Sequence, residues 1–277
     1  MDIAIPASFG ALPLHRAKVD AISRYAAGRP EVVGMAVTGS FAAGYPDPYS
    51  DVDLRIAVED GALEAALADR REFADAGGTV VAIFTGEHVG VPELVIVLYD
   101  DLTHVDLHFQ PADRVGELGK GLPAAVLWER DGRVSAQLPG ADHDDPGAKL
   151  AWWEARMWTW CWYIQTKVLR GEAYEALDAL AYVRANVLFP LLAMTRGRRP
   201  GAARRVEDML GDLAPEFART APPPDRTEAL EGLRAAIRLY RTLADPLLDR
   251  HGVPPEEAAR EVVSAALGRG LDWSRSR

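Results

Sequence analysis

The chain has 277 residues, enough for one large domain or two modest ones, and almost half of them are apolar, enough to build a real core. Its formal net charge of −10 and sequence pI near 5.1 set up a field that repels nucleic acid at long range. That argues against a broad RNA or DNA groove and suits a small cationic partner better. The single cysteine, Cys161, excludes an intrachain disulfide and reads as a core residue.

The opening segment lacks the basic flank and continuous apolar core of a secretory signal, so none is expected. The richest apolar run is interrupted by Glu154, Arg156 and Lys167, and no run is expected to span a bilayer. The resulting expectation is a cytoplasmic protein with no membrane partner; its oligomeric state is not legible.

In chain order, residues 13–27 have helical spacing, and the apolar run Val32 to Thr38 reads as a strand ending in Gly39-Ser40. Val52 to Val58 reads as a second strand, residues 61–74 as a helix and Thr79 to Phe84 as a third strand. Glu93 to Tyr99 and Thr103 to Phe109 flank Asp100-Asp101 as a hairpin. These elements predict an α/β-type mixed sheet carrying helices, an α+β first domain over residues 1–143.

The stretch GADHDDPG (140–147) reads as a linker, with Asp145-Pro146 as an N-cap and first-turn proline. Helical patterns follow at about 147–170, 172–195, 202–212, 226–250 and 255–267. They predict an all-α helical bundle as the second domain, residues 144–277.

Asp51 and Asp53 are two apart in a strand, so both side chains point to one face, while Val52, Leu54 and Ile56 point into a core. Adjacent carboxylates repel unless a cation lies between them, and Mg²⁺ takes carboxylate oxygens while leaving positions for phosphate. Gly39 lets backbone approach a phosphate closely, and the Ser40 hydroxyl is a donor for it. The ten residues between Ser40 and Asp51 suffice to return the chain to the next strand. A third carboxylate is expected from Asp106, since Val105, Leu107 and Phe109 share the apolar face of their strand and His104, Asp106 and His108 the other.

The pattern Gly39-Ser40-x10-Asp51-x-Asp53, with Asp106 on a later strand, resembles the nucleotidyltransferase superfamily that includes DNA polymerase β. More narrowly it resembles the antibiotic nucleotidyltransferases of aminoglycoside or lincosamide type, which join such a domain to a helical substrate-binding domain. The likeness is specific over roughly residues 30–110 and looser beyond, where Lys-x-x-Arg-Gly-Glu (167–172) carries it.

The resemblance implies two Mg²⁺ ions, with Asp51 and Asp53 as ligands of both and Asp106 of one, and Gly39 and Ser40 on the triphosphate. It implies transfer of a nucleoside monophosphate, AMP from ATP, to a hydroxyl of a small molecule, with release of pyrophosphate. It also implies Lys167 of the helical domain on the triphosphate, and either Asp106 or Glu154 as general base. Arg55, on the face of the paired aspartates, offsets their charge or touches phosphate.

Plainer readings stand beside these. Trp153, Met157, Trp160 and Ile164 form a helical stripe expected to dock on the first domain. His104 and His108 read as polar cleft-wall residues rather than metal ligands, and Arg196 to Arg205 as a solvated turn. Competing functions are a protein- or RNA-directed nucleotidyltransferase, a toxin–antitoxin-type regulator and a non-catalytic nucleotide-binding module. The helical half lacks the Arg-x4–6-His motif of toxin-type helical ribonuclease domains, which counts against the second of these.

Overall fold

The computed structural model describes residues 2–115, 123–138, 145–198 and 205–268. The chain divides into two compact units, Met1–Asp144 and Asp145–Arg277. The expected linker at 140–147 lies largely outside the described residues, as does most of the basic turn at 196–205.

The first unit is a six-stranded mixed sheet. Its strands are β1 (Val32–Thr38), β2 (Val52–Val58), β3 (Val80–Gly86), β4 (Val91–Tyr99), β5 (His104–Pro111) and β6 (Ala124–Glu129), in the order β3-β4-β5-β2-β1-β6. Only the β2–β5 pair is parallel; the other neighbours run antiparallel.

Alternation along β2 and β5 sorts their side chains. Val52, Leu54, Ile56, Val105, Leu107 and Phe109 join one buried cluster with Val19, Ile22 and Ala26 of α1 (Pro13–Ala27) and with Phe73 and Ala74. The alternate residues face the other side of the sheet, so the acidic positions are separated from the helix-covered face by the sheet itself.

The expected helix at 61–74 is broken into α3 (Leu63–Ala68) and α4 (Arg70–Ala76). The break falls at Asp69, whose carboxylate is taken by Arg29, while Arg29 Nε donates to Glu31 at 2.7 Å. A short helix, α2 (Gly39–Ala43), follows β1. Strand β6 adds to the expected strands: its AAVLWE run shows no period-two alternation, and its strand character comes from pairing with β1.

Lys18 is buried beneath the hairpin. Its ammonium lies 4.0 Å from the Tyr99 ring centroid and pairs with Asp101 at 2.8 Å. Burial pushes the Asp101 carboxyl up, but hydrogen bonds from Lys18 and Thr103 dominate and hold it at about 2, against an ordinary 3.8. Its folded pKa is therefore depressed, so the unfolded chain binds more protons between those values. Stability is lost as pH falls through that window. In Lys18→Met, the acid limb of a pH–stability curve below 3.8 is expected to be shallower than in wild type. Equal slopes would show that Lys18 does not set the Asp101 titration.

The second unit is helical: α5 (Pro146–Arg170), α6 (Ala173–Val183), α7 (Phe189–Thr195), α8 (Glu207–Leu210), α9 (Ala214–Arg219), α10 (Arg226–His251) and α11 (Glu257–Gly268). Asp145 caps α5 by accepting from the Gly147 N–H, and Asp225 caps α10 by accepting from the Thr227 and Glu228 N–H groups. A π-helical turn, Arg184–Leu188, joins α6 to α7 just before Pro190. Proline has no N–H to donate four residues back, and a widened turn accommodates it.

Two expectations are corrected here. Of the stripe Trp153, Met157, Trp160 and Ile164, expected to dock on the first domain, Trp153, Met157 and Ile164 are buried with Trp158 and Cys161 in the helical unit's own core, against residues of α6 and α10. Trp160 packs partly buried against that core. In addition, the stretch Ala173–Thr195 is long and apolar enough to cross a membrane, contrary to the expectation that no run is. Leu180, Val183, Val187, Leu188, Leu191 and Leu192 of this stretch pack into the same core.

Candidate active site

Register brings the acidic residues together. Asp53 stands opposite Asp106 in the parallel β2–β5 pair and opposite Thr38 in the β1–β2 pair. Asp51 precedes β2 by one residue and shares the Asp53 face. Each of the three offers a carboxylate oxygen within 4.8 Å of the others, and all three are half-buried. A chain needs no local motif for Asp106 to join them; in-phase pairing of β5 with β2 does it.

Gly39 has φ +68°, a left-handed conformation, and a β-carbon there would lie 2.1 Å from Asp53 Oδ2. Glycine is thus required twice, by the backbone and by the carboxylate seated against it. The next residue, Ser40, is 5% exposed, and its hydroxyl has no hydrogen-bond partner among the described residues. A buried hydroxyl without a described partner, one residue after the glycine seated against Asp53, fits a site built to receive a further polar group.

Arg55 and His108 continue the same face one pair further along. Arg55 Nη1 donates to His108 Nδ1 at 3.1 Å and to Gln110 Oε1 at 3.2 Å. Burial lowers the Arg55 pKa and the Asp53 charge opposes that shift, which places Arg55 within the field of the carboxylates. His108 is driven down to about 4 by burial and then by the Arg55 charge, so at neutral pH it is an uncharged acceptor for Arg55. His104 Nε2 approaches Asp106 Oδ1 to 3.0 Å, an ion-pair distance without aligned hydrogen-bond geometry. That carboxylate raises the His104 pKa, with Asp51 and Asp53 adding to it. Both histidines therefore line the acidic face, and the group of metal-competent residues among the described ones consists of the three aspartates.

Two further residues belong to this face. Gln110 could have been read from its period-two relation to His104, Asp106 and His108. Thr38 has no such signal; only the β1–β2 register brings it beside Asp53.

Glu154 and Lys167 belong to the helical unit. Glu154, considered as a general base, is 1% exposed and accepts hydrogen bonds from Trp158, Tyr240, Arg260 and the Glu256 N–H. Its carboxylate is committed to the helical core and has no open face for a substrate hydroxyl. Lys167, expected on the triphosphate, pairs with Glu175 at 2.6 Å and Glu172 at 3.3 Å.

No protein-family model matches this sequence, and no curated protein matches it. Among solved structures, an aminoglycoside 6-adenyltransferase from Bacillus subtilis aligns over 91% of this chain and 96% of its own, with 14% identity and a TM-score of 0.40. A nucleotidyltransferase-like protein from Exiguobacterium sibiricum 255-15 aligns over 83% of this chain and 75% of its own, with 14% identity and a TM-score of 0.39.

Proposed function

We propose that the chain is a magnesium-dependent nucleotidyltransferase. The observation that carries this reading is the convergence of Asp51, Asp53 and Asp106 within 4.8 Å beside the Gly39-Ser40 turn. Three carboxylates this close repel one another, and a divalent cation relieves that repulsion. Their hard oxygen donors suit Mg²⁺. Asp51 and Asp53 would hold two Mg²⁺ ions jointly and Asp106 one of them. Bound there, Mg²⁺ would neutralise phosphate charge and lower the pKa of an acceptor hydroxyl.

The chain's own residues do the rest. Gly39 lets the backbone approach the triphosphate of ATP, and the orphan Ser40 hydroxyl donates to a phosphate oxygen. The acceptor oxygen attacks the α-phosphorus, pyrophosphate leaves, and the hydroxyl proton passes to Asp106. Arg55, held by His108 and Gln110, offsets the carboxylate charge at the far side of the group. Lys167 would reach a triphosphate only by leaving Glu172 and Glu175.

The acceptor we assign to small hydroxylated molecules, of the aminoglycoside or lincosamide kind that the sequence resemblance implies. The net charge of −10 favours a cationic one. Antibiotic resistance and a cytoplasmic location belong to the same reading.

Calorimetric titration with ATP and a non-hydrolysable analogue, with and without Mg²⁺, tests it. Wild type is expected to bind only with the metal, and Asp51→Ala/Asp53→Ala to lose that binding. Absence of triphosphate binding by wild type under any metal condition would sink the proposal.

A further inference from the structure

A cavity of about 280 Å³ opens between α5 and α6, wholly within the helical unit and lined by residues that the proposed reaction does not use. Its walls are aromatic: Trp160 and Tyr182 meet edge to face at 5.4 Å between centroids, and the exposed ring of Tyr163 stands on the α5 side. Buried Ile164 contributes to its apolar lining. Two carboxylates complete it, Glu175 and Asp178, which with Tyr182 recur at three- and four-residue spacing along one face of α6.

Aromatic faces attract cations through the ring quadrupole, and a carboxylate beside them adds a counter-charge. The protein already displays this chemistry at the cavity wall. The Lys167 ammonium lies 4.8 Å from the Tyr163 ring centroid and 2.6 Å from Glu175 Oε1, and the Tyr163 hydroxyl donates to the same carboxylate. Asp178, by contrast, has neither an ion-pair nor a hydrogen-bond partner among the described residues. One carboxylate of the cavity is thus satisfied by an internal ammonium, and the second stands ready for an external one.

We propose that this cavity is a binding site for a small organic cation, a quaternary ammonium or protonated amine with an apolar body. Trp160, Tyr163 and Tyr182 enclose the apolar body, and Asp178 supplies the counter-charge. The site stands on residues of the helical unit alone and is independent of the metal-site reading.

The test uses the full chain and two probes of the same shape, choline and its uncharged isostere 3,3-dimethylbutan-1-ol. Binding is followed by NMR of the tryptophan indole N–H signals, with that of Trp160 assigned from Trp160→Phe. Choline is expected to shift the Trp160 signal saturably and to bind roughly tenfold more tightly than the alcohol. Asp178→Asn, a change at a position with no internal partner, is expected to weaken choline by about tenfold and leave the alcohol unaffected. Tyr182→Leu is expected to weaken both probes. Equal affinity for choline and the alcohol, no effect of Asp178→Asn, or no saturable shift at Trp160 would each overturn the proposal.

Discussion

Gly39→Ala is expected to weaken magnesium-dependent ATP binding strongly while the first unit stays folded. Two costs fall on this substitution. A non-glycine residue at φ +68° costs about 1–2 kcal/mol, which a domain with ordinary stability survives. The added β-carbon would also sit 2.1 Å from Asp53 Oδ2, so either the turn or the carboxylate must move. Asp53 is the middle member of the acidic group, paired in register with both Thr38 and Asp106. In the proposed metal site Asp53 is the shared ligand, so displacing it is expected to cost roughly 10–100-fold in affinity, as disturbing the support of a metal ligand does.

Gly44→Ala separates the two costs. Gly44 ends the same short helix at φ +85°, yet a β-carbon added there would meet nothing within 4 Å. It carries the backbone strain without the collision, so Gly44→Ala should keep ATP binding within a few-fold of wild type. Calorimetry on the two variants decides the matter. Wild-type affinity in Gly39→Ala, or equal losses in both, would show that Asp53 is not seated against that turn.

The contrast between Gly39 and Gly44 also shows what a sequence can carry. Both glycines are visible in it, but only the folded chain sets Asp53 against one of them. Strands β1 and β2 are legible to the residue because an apolar run ends in Gly-Ser and another alternates from Val52. The candidate site follows, since period two puts Asp51 and Asp53 on one face and Asp106 on the polar face of its own strand. What stays hidden depends on distant partners. The 61–74 helix is interrupted at Asp69, whose carboxylate is taken by Arg29 from 40 positions away. Strand β6 exists through pairing with β1, and the tryptophan stripe of α5 is apolar whichever surface it meets. Glu154 is the sharpest case. Its partners Tyr240, Glu256 and Arg260 lie 86, 102 and 106 residues downstream, so local sequence cannot distinguish a buried hub from an exposed base.

That hub leads to the second large effect, in stability. Glu154 Oε1 accepts from Arg260 Nε at 2.9 Å, from the Glu256 N–H at 2.9 Å and from Trp158 Nε1 at 3.1 Å, while Oε2 accepts from the Tyr240 hydroxyl at 2.6 Å. One carboxylate thereby ties α5 to α10, to α11 and to the turn preceding α11. Glu154→Ala would strip these donors at once and leave the buried Arg260 guanidinium with Asp245 at 3.0 Å as its remaining counter-charge. Breaking a buried pair from one side costs about 3–5 kcal/mol. In a protein of this size that corresponds to a fall of roughly 6–20 °C in the melting temperature of the helical unit.

Replacing both partners tests whether the cost lies in the orphaned charge. Glu154→Met/Arg260→Met removes the pair together and is expected to recover part of the loss, because apolar side chains of similar volume need no counter-charge. The pH dependence gives an independent sign. Burial opposes ionisation of Glu154, but Arg260, Tyr240, the Glu256 N–H and Trp158 together hold its pKa below the ordinary 4.5. With a depressed folded pKa, its contribution is complete above 4.5 and drains away as pH falls through the folded value. Thermal melts at about pH 7 and about pH 4 should therefore differ less for Glu154→Gln than for wild type. A Glu154→Ala variant within about 1 kcal/mol of wild type would remove the hub from the account of what holds these helices together.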